Sequence, residues 1–164
     1  MNQFKALTIL KEALWICITL CVTYIVLYPI DQKIDYTFYW PNFLFVALSI
    51  LYFRWATTFN DLPFLRHSWV RFALFVFNIN IFVYLLSTER NLLSVVDDVY
   101  VLSIGFPKVI MYEEVKEQLF KYLQTEVILF GTASLTLNVA LQIRIIVSYW
   151  QFSSKKLVDM SSEQ

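Results

Sequence analysis

The residue types that most often carry chemistry are few in this chain. Histidine occurs once, at His67, which excludes a bis-histidine haem or a multi-histidine metal site on a single chain. Cys17 and Cys21 are four positions apart and share a helical face, but no second cysteine pair accompanies them, so apolar packing is their expected role. The chain has two glycines and no glycine-rich phosphate loop. We therefore expect no metal and no cofactor.

A polar face near the C-terminus is the clearest group of residues with a shared spacing. Its members recur every three or four positions: Gly131, Ser134, Asn138 and Gln142. Small residues let helices approach closely, and amides hydrogen-bond across the contact for roughly 0.6–2 kcal/mol in a membrane. Helix packing inside the monomer, a homo-oligomer contact and a polar-lined pore are the three interpretations of this face.

The composition indicates the environment of these residues. Hydrophobic residues make up 59% of the 164 residues and charged residues only 16%, compared with about 45–50% and about 25% in soluble domains. The formal net charge of zero excludes a general electrostatic attraction to nucleic acid. These values are typical of a small integral membrane protein.

Four charge-free segments predict an all-α membrane protein with four transmembrane helices. Each segment is 17 or 18 residues long, and they cover 13–30, 36–53, 72–88 and 127–143. Helices of this length approach the roughly 30 Å thickness of the hydrocarbon layer. With the flanking aromatic residues included, we predict a single membrane domain, 1–164, with spans at about 13–30, 38–56, 70–88 and 126–150.

Two further patterns agree with these spans. All five tryptophans lie near segment ends, where an indole ring prefers the headgroup layer. None of the four segments contains Asp or Glu, so we expect no carboxylate relay or cation-coupling site inside the membrane.

The distribution of basic residues predicts the orientation. One side of the predicted membrane carries eight Lys and Arg residues and the other carries five, which acidic residues outnumber. The eight include Lys5, Lys11 and the predicted cytoplasmic face, which comprises Arg54, Arg66, Arg71, Arg144, Lys155 and Lys156. The positive-inside bias puts both termini in the cytoplasm. For a bacterial chain this means the inner membrane.

The predicted outer segment, 88–125, is the one sizeable part outside the membrane. Residues 92–104 are compatible with a short interfacial helix or with a strand. Beyond Pro107, an amphipathic helix is predicted from an apolar stripe at helical spacing, which comprises Tyr112, Val115, Leu119 and Tyr122. We expect this helix to continue into the fourth span.

In size and span count the chain resembles the lipoprotein signal peptidases, which are four-helix aspartyl proteases. Asp31, Asp97 and Asp98 lie on the appropriate side, but the glycines and the Asn-x-x-Asp-Arg pattern of that family are absent. We therefore predict that the chain is not an enzyme.

The functional prediction is a non-enzymatic inner-membrane subunit that forms a homo-oligomer in the lipid bilayer. It would couple the outer segment to the cytoplasm and contact a protein partner at one of these faces, without binding nucleic acid directly. Small four-span proteins of similar plan include membrane sensors of phage-defence systems such as Kiwa, and bacteriocin-immunity proteins. That similarity rests on size and span count. The alternative is an oligomeric channel or membrane-permeabilising effector.

Overall fold

The computed structural model describes residues 2–35, 38–59, 62, 65, 67–97, 106–107 and 113–162. Over these residues the chain forms four helices and a two-stranded ladder. In chain order they are α1 (Asn2–Asp31), β1 (Ile34–Asp35), α2 (Tyr39–Thr57), α3 (Ser68–Asp97), β2 (Phe106–Pro107) and α4 (Glu113–Ser162). The prediction of an all-helical architecture is confirmed.

Helix α4 is 50 residues long and spans about 75 Å at 1.5 Å per residue. It contains no proline and one glycine, so nothing in its sequence interrupts the backbone hydrogen bonds. The predicted amphipathic helix and the predicted fourth span therefore run on as one helix. Residues 98–105 and 108–112 lie outside the described residues, so the extramembrane character of the outer segment stays a prediction.

Helix α4 is also the centre of the packing. Its contacts are most extensive with α2 and next with α3, while α1 packs mainly on α2. β1 and β2 pair in antiparallel register, with Ile34 opposite Pro107. We call the end of the bundle that carries this pairing the ladder end. The opposite end, where α2 connects to α3, is called the turn end.

The packing follows helical periodicity. In α3, Arg71, Asn78, Leu85 and Leu92 are buried at intervals of seven residues, which is the spacing of a coiled-coil seam. In α4 the buried residues recur at about every third or fourth position between Leu119 and Ile145. Helices α3 and α4 therefore each present one stripe to their neighbours and leave the opposite face uncovered.

The uncovered faces are strongly apolar. On α1 the exposed side chains include Leu14, Ile18 and Ile25, and on α3 they include Phe77 and Val83. Monomeric soluble proteins rarely expose continuous apolar surface of this kind. These apolar faces are consistent with a membrane protein.

Three of the described helices contain stretches that are long and apolar enough to cross a membrane. These stretches are Ile9–Asp31, Ser68–Leu92 and Glu117–Gln151. The described helix α2 has 19 residues but is not among them, and it carries Asn42 and Arg54 within its length. The four-span count therefore stays a prediction.

Candidate functional site: polar groups buried between the helices

A hydrogen-bonded cluster joins α2, α3 and α4 in the middle of the bundle. The Tyr52 hydroxyl donates to Asn78 Oδ1 at 3.2 Å, and Asn138 Nδ2 donates to Tyr52 Oη at 3.1 Å. Asn138 Nδ2 also lies 3.3 Å from the Asn78 carbonyl oxygen, and Gln142 Nε2 donates to Asn138 Oδ1 at 2.7 Å. We call these four residues the central network.

The central network fixes the register of three helices. Tyr52, Asn78 and Asn138 are almost completely buried, so no bulk water replaces a lost partner. Leaving a buried polar group without a hydrogen bond costs about 1–3 kcal/mol. Sliding or rotating one helix breaks several of these bonds together, which makes the observed alignment strongly preferred.

Two buried carboxyl groups lie closer to the ladder end. Glu126 on α4 is 4% exposed and accepts a hydrogen bond from Asn42 Nδ2 on α2 at 2.5 Å. Glu89 on α3 is 6% exposed and lies against Gly131 of α4. Oε1 of each carboxyl has no hydrogen-bond partner among the described residues. Both glutamates flank the charge-free segments in the sequence and turn inward in the fold. The expectation of no carboxylate relay or cation-coupling site inside the membrane stays a prediction.

Two arginines are buried at the turn end. Arg54 forms an ion pair with Glu12 of α1, and its guanidinium carbon lies 4.7 Å from the ring centre of Trp15. These contacts supply both Coulomb attraction and a cation–π interaction. Arg54, counted among the cytoplasmic charges in the sequence, is therefore held inside the bundle and partly neutralised by an acidic residue.

The second arginine of the turn end connects α3 to α4. Arg71 Nη1 donates to Ser148 Oγ at 2.6 Å, and the guanidinium carbon lies 5.2 Å from the ring centre of Tyr149. The Tyr149 hydroxyl donates to the Ser68 carbonyl oxygen at 2.6 Å. At the turn end, these polar contacts therefore hold the start of α3 against α4.

These polar groups form three levels along α4. Glu126 and Ser148 are 22 positions apart, which is about 33 Å along a helix. Asn138 lies roughly midway between them. The distance between the outer levels is close to the roughly 30 Å thickness of a hydrocarbon layer.

The polar face predicted on the fourth helix lies inside the monomer. Gly131, Ser134 and Asn138 are buried, and Gln142 is half-buried. The Ser134 hydroxyl donates to the carbonyl oxygen of Gly131 in its own helix at 2.8 Å, while Asn138 reaches α2 and α3. The structure therefore brings these residues together with Tyr52, Asn78 and Glu89.

The apolar stripe predicted for the outer helix is partly covered by the bundle. Leu119 is buried and Val115 is half-buried. The Tyr122 hydroxyl donates to the Val26 carbonyl oxygen of α1 at 2.8 Å. Tyr112 lies outside the described residues. This part of α4 is therefore tied to α1.

The residues predicted for the cytoplasmic face do not form one group. Arg54 and Arg71 are buried as described above, whereas Arg144 is exposed. Arg66 and the side chains of Lys155 and Lys156 lie outside the described part of the chain. The basic residues of this face therefore differ in environment.

The spacing of the two buried glutamates in the sequence indicates that they face inward. Segments defined only by the absence of charge do not reveal this spacing. Glu126 falls on the same spacing as Leu119 and Leu123, and Glu89 lies four positions after Leu85. Both glutamates therefore belong to apolar stripes. Treating every charge as the end of a segment hid this relationship.

No family model, curated protein or solved structure matches this chain. The class of protein is therefore described from its structure alone. The described residues form an all-helical protein with three apolar helices of membrane-spanning length and a polar interior.

Proposed function

We propose that the chain is a non-enzymatic integral protein of a bacterial inner membrane, with four crossings and both termini in the cytoplasm. The exposed apolar faces of α1 and α3 support contact with lipid. Exposed Trp40 near the ladder end, and Trp69 and Trp150 near the turn end, support two headgroup levels. Helix α2 crosses as the shielded helix of the bundle, with its polar residues turned toward protein partners.

Within this membrane protein, α4 couples the outer side to the cytoplasm. The observation that carries this proposal is the single helix from Glu113 to Ser162. Its ladder-end part contacts α1 through Tyr122 and α2 through Glu126, and its turn-end part contacts α3 through Ser148. Because no break lies between these contacts, a displacement at one end reaches the other.

The coupled signal requires a partner. We propose that a protein partner or a second copy of the chain contacts the outer segment or the cytoplasmic end of α4. A membrane sensor subunit of a phage-defence system is one assembly with this organisation. No chemical reaction is needed for such a role, since the protein would act by changing its contacts.

Rigidity of α4 tests the coupling without knowledge of the partner. In a Cys17→Ser, Cys21→Ser background, spin labels at Gln118→Cys and Gln151→Cys lie on exposed positions of α4. A continuous helix puts their backbones about 50 Å apart, and we expect a narrow distance distribution. Inserting two glycines after Gln124 should broaden it, whereas inserting two alanines should shift it with little broadening. A broad distribution in the parent chain would contradict the proposal.

A second candidate function is an oligomeric channel. The observation that favours it is the pair of buried carboxyl groups, Glu89 and Glu126, each with one oxygen lacking a partner among the described residues. Intramembrane carboxyls often mark ion or proton pathways. Expression would then depolarise the membrane, and Glu89→Gln or Glu126→Gln would reduce the effect. Glu117→Gln, at an exposed position, is the matched control.

A further inference from the structure

An open cleft lies at the turn end, between α4 and Phe59, which is two residues beyond the end of α2. Its volume is about 350 Å³, and it is lined by Phe59, Ile143, Arg144, Val147, Ser148 and Gln151. Arg144, Val147, Ser148 and Gln151 share one face of α4, because they are spaced by three or four residues. The cleft therefore combines apolar walls with one exposed cationic group.

The positive charge in this cleft is available to a ligand. Arg144 is exposed, and no carboxylate of the described residues pairs with it. Behind the cleft wall, Arg71 donates to Ser148 Oγ, which brings a second guanidinium close to the cleft. A guanidinium binds phosphate oxygens through paired N–H donors. An anion is therefore the ligand that the electrostatics favours.

The level of the cleft along the bundle indicates the source of that anion. Trp69 and Trp150 are 83% and 74% exposed near the turn end, as expected for indoles in a headgroup layer. Arg144 is six positions from Trp150, or about 9 Å along the helix toward the bundle centre. An arginine at this depth extends its head group to lipid phosphates while its stem stays in apolar surroundings.

We propose that this cleft binds an anionic phospholipid of the cytoplasmic leaflet. Arg144 contacts the phosphate diester, Gln151 contacts the polar headgroup, and an acyl chain lies along Ile143, Val147 and Phe59. Basic pockets between helices on the cytoplasmic side are suited to such headgroups. The three apolar lining residues favour a lipid over a free phosphate ion. The proposal rests on the membrane location put forward above.

Native mass spectrometry of the purified full chain tests the site. The chain is mixed with phosphatidylglycerol or with phosphatidylcholine, with and without millimolar inorganic phosphate. We expect the parent chain to prefer phosphatidylglycerol, and inorganic phosphate not to displace it. Arg144→Gln should weaken phosphatidylglycerol binding about fivefold, which corresponds to the contribution of about 1 kcal/mol from one basic residue near a membrane surface. Arg144→Lys should retain most of the binding.

Two further variants control for position and folding. Arg90→Gln removes an exposed arginine at the ladder-end part of α3 and should leave lipid binding unchanged. Gln151→Glu puts a negative charge into the cleft and should weaken phosphatidylglycerol binding even if Arg144→Gln fails to fold.

The outcomes separate this proposal from the proposed membrane function. The lipid site is overturned if Arg144→Gln and Gln151→Glu both bind phosphatidylglycerol like the parent chain, if Arg90→Gln weakens binding equally, or if inorganic phosphate displaces the lipid. Extraction of membranes with alkaline carbonate gives the independent readout. Release of the parent chain by carbonate would overturn the membrane function and the lipid site together. Retention with unaltered lipid binding by both cleft variants would overturn the lipid site alone.

Discussion

The Glu89 carboxyl lies so close to Gly131 that a Cβ atom at residue 131 would come within 2.7 Å of Glu89 Oε1. Glycine at this position therefore makes room for a buried acidic side chain from the neighbouring helix. The contact joins α3 to α4 about 10 Å along α4 from the central network, since Gly131 and Asn138 are seven positions apart. The Glu89 carboxyl therefore occupies the space that the absence of a side chain at Gly131 leaves open.

Gly131→Leu should destabilise the monomer, because the larger side chain displaces Glu89 from its site. We expect a loss of about 1–3 kcal/mol, as for overpacking in other cores. Unfolding by titration with sodium dodecyl sulfate gives the measurement. Adding Glu89→Ala should recover part of the loss, since the two residues share the space. Thr132→Leu, at the exposed neighbouring position, should have little effect. Equal destabilisation by both leucine variants would show that the Glu89 contact is unimportant.

Asn138→Leu should lower the free energy of unfolding by about 1–2 kcal/mol. The change removes the donor to Tyr52 Oη and the acceptor of Gln142 Nε2. Asn80→Leu is the matched control, because Asn80 is exposed and donates only to the Val76 carbonyl oxygen of its own helix among the described contacts. The same detergent titration compares the two. If Asn80→Leu costs as much as Asn138→Leu, the central network does not stabilise the bundle.

The helix positions were largely predictable from the sequence, whereas the direction of the charged side chains was not. The segment predicted at 38–56 coincides with a helix, α2, Tyr39–Thr57, because length and charge-free composition report position along a helix axis. Its crossing of a membrane stays a prediction. Rotation about that axis depends on which neighbour covers which face. Glu126 illustrates the difference, since it ends an apolar segment in the sequence and faces Asn42 in the fold.

The difference between position along a helix and rotation about its axis also applies to Arg54 and Arg71. Arg54 and Arg71 flank apolar segments, which is equally compatible with solvated loop ends and with inward-facing side chains. Their partners, Glu12 and Ser148, are 42 and 77 positions away in sequence. Periodicity within one helix cannot identify partners at such separations, so these contacts required the tertiary structure.

Asn42→Leu should destabilise the protein through Glu126, which would then remain buried without its amide donor. The loss should be larger in the parent chain than in a Glu126→Leu background, with a coupling energy of about 0.5–3 kcal/mol. A double-mutant cycle by detergent unfolding measures this difference. As a control, a Glu117→Leu background, which removes an exposed carboxylate, should leave the cost of Asn42→Leu unchanged. Additive effects of Asn42→Leu and Glu126→Leu would contradict the pairing.

Leu119→Asp should detach the first turns of α4 from the bundle, because Leu119 is buried and lies one turn before Tyr122, which bonds to α1. Hydrogen exchange over the described residues 113–123 should become faster, while exchange around Asn138 should change little. Gln118→Asp alters an exposed position of the same segment and should leave the exchange rates near those of the parent. Equal hydrogen-exchange rates over residues 113–123 in the parent chain and both variants would mean that Leu119 does not anchor this segment.

The most direct test of the account is the side of the membrane that each connection occupies. Single cysteines are introduced at Gln32, His67, Ser103 or Ser161 in a Cys17→Ser, Cys21→Ser background and treated with an impermeant maleimide in spheroplasts. Four crossings with cytoplasmic termini predict labelling of Gln32→Cys and Ser103→Cys before lysis, and of His67→Cys and Ser161→Cys only after lysis. Labelling of Gln32→Cys and His67→Cys on the same side would show that α2 does not cross, and labelling of all four before lysis would contradict a membrane-spanning bundle.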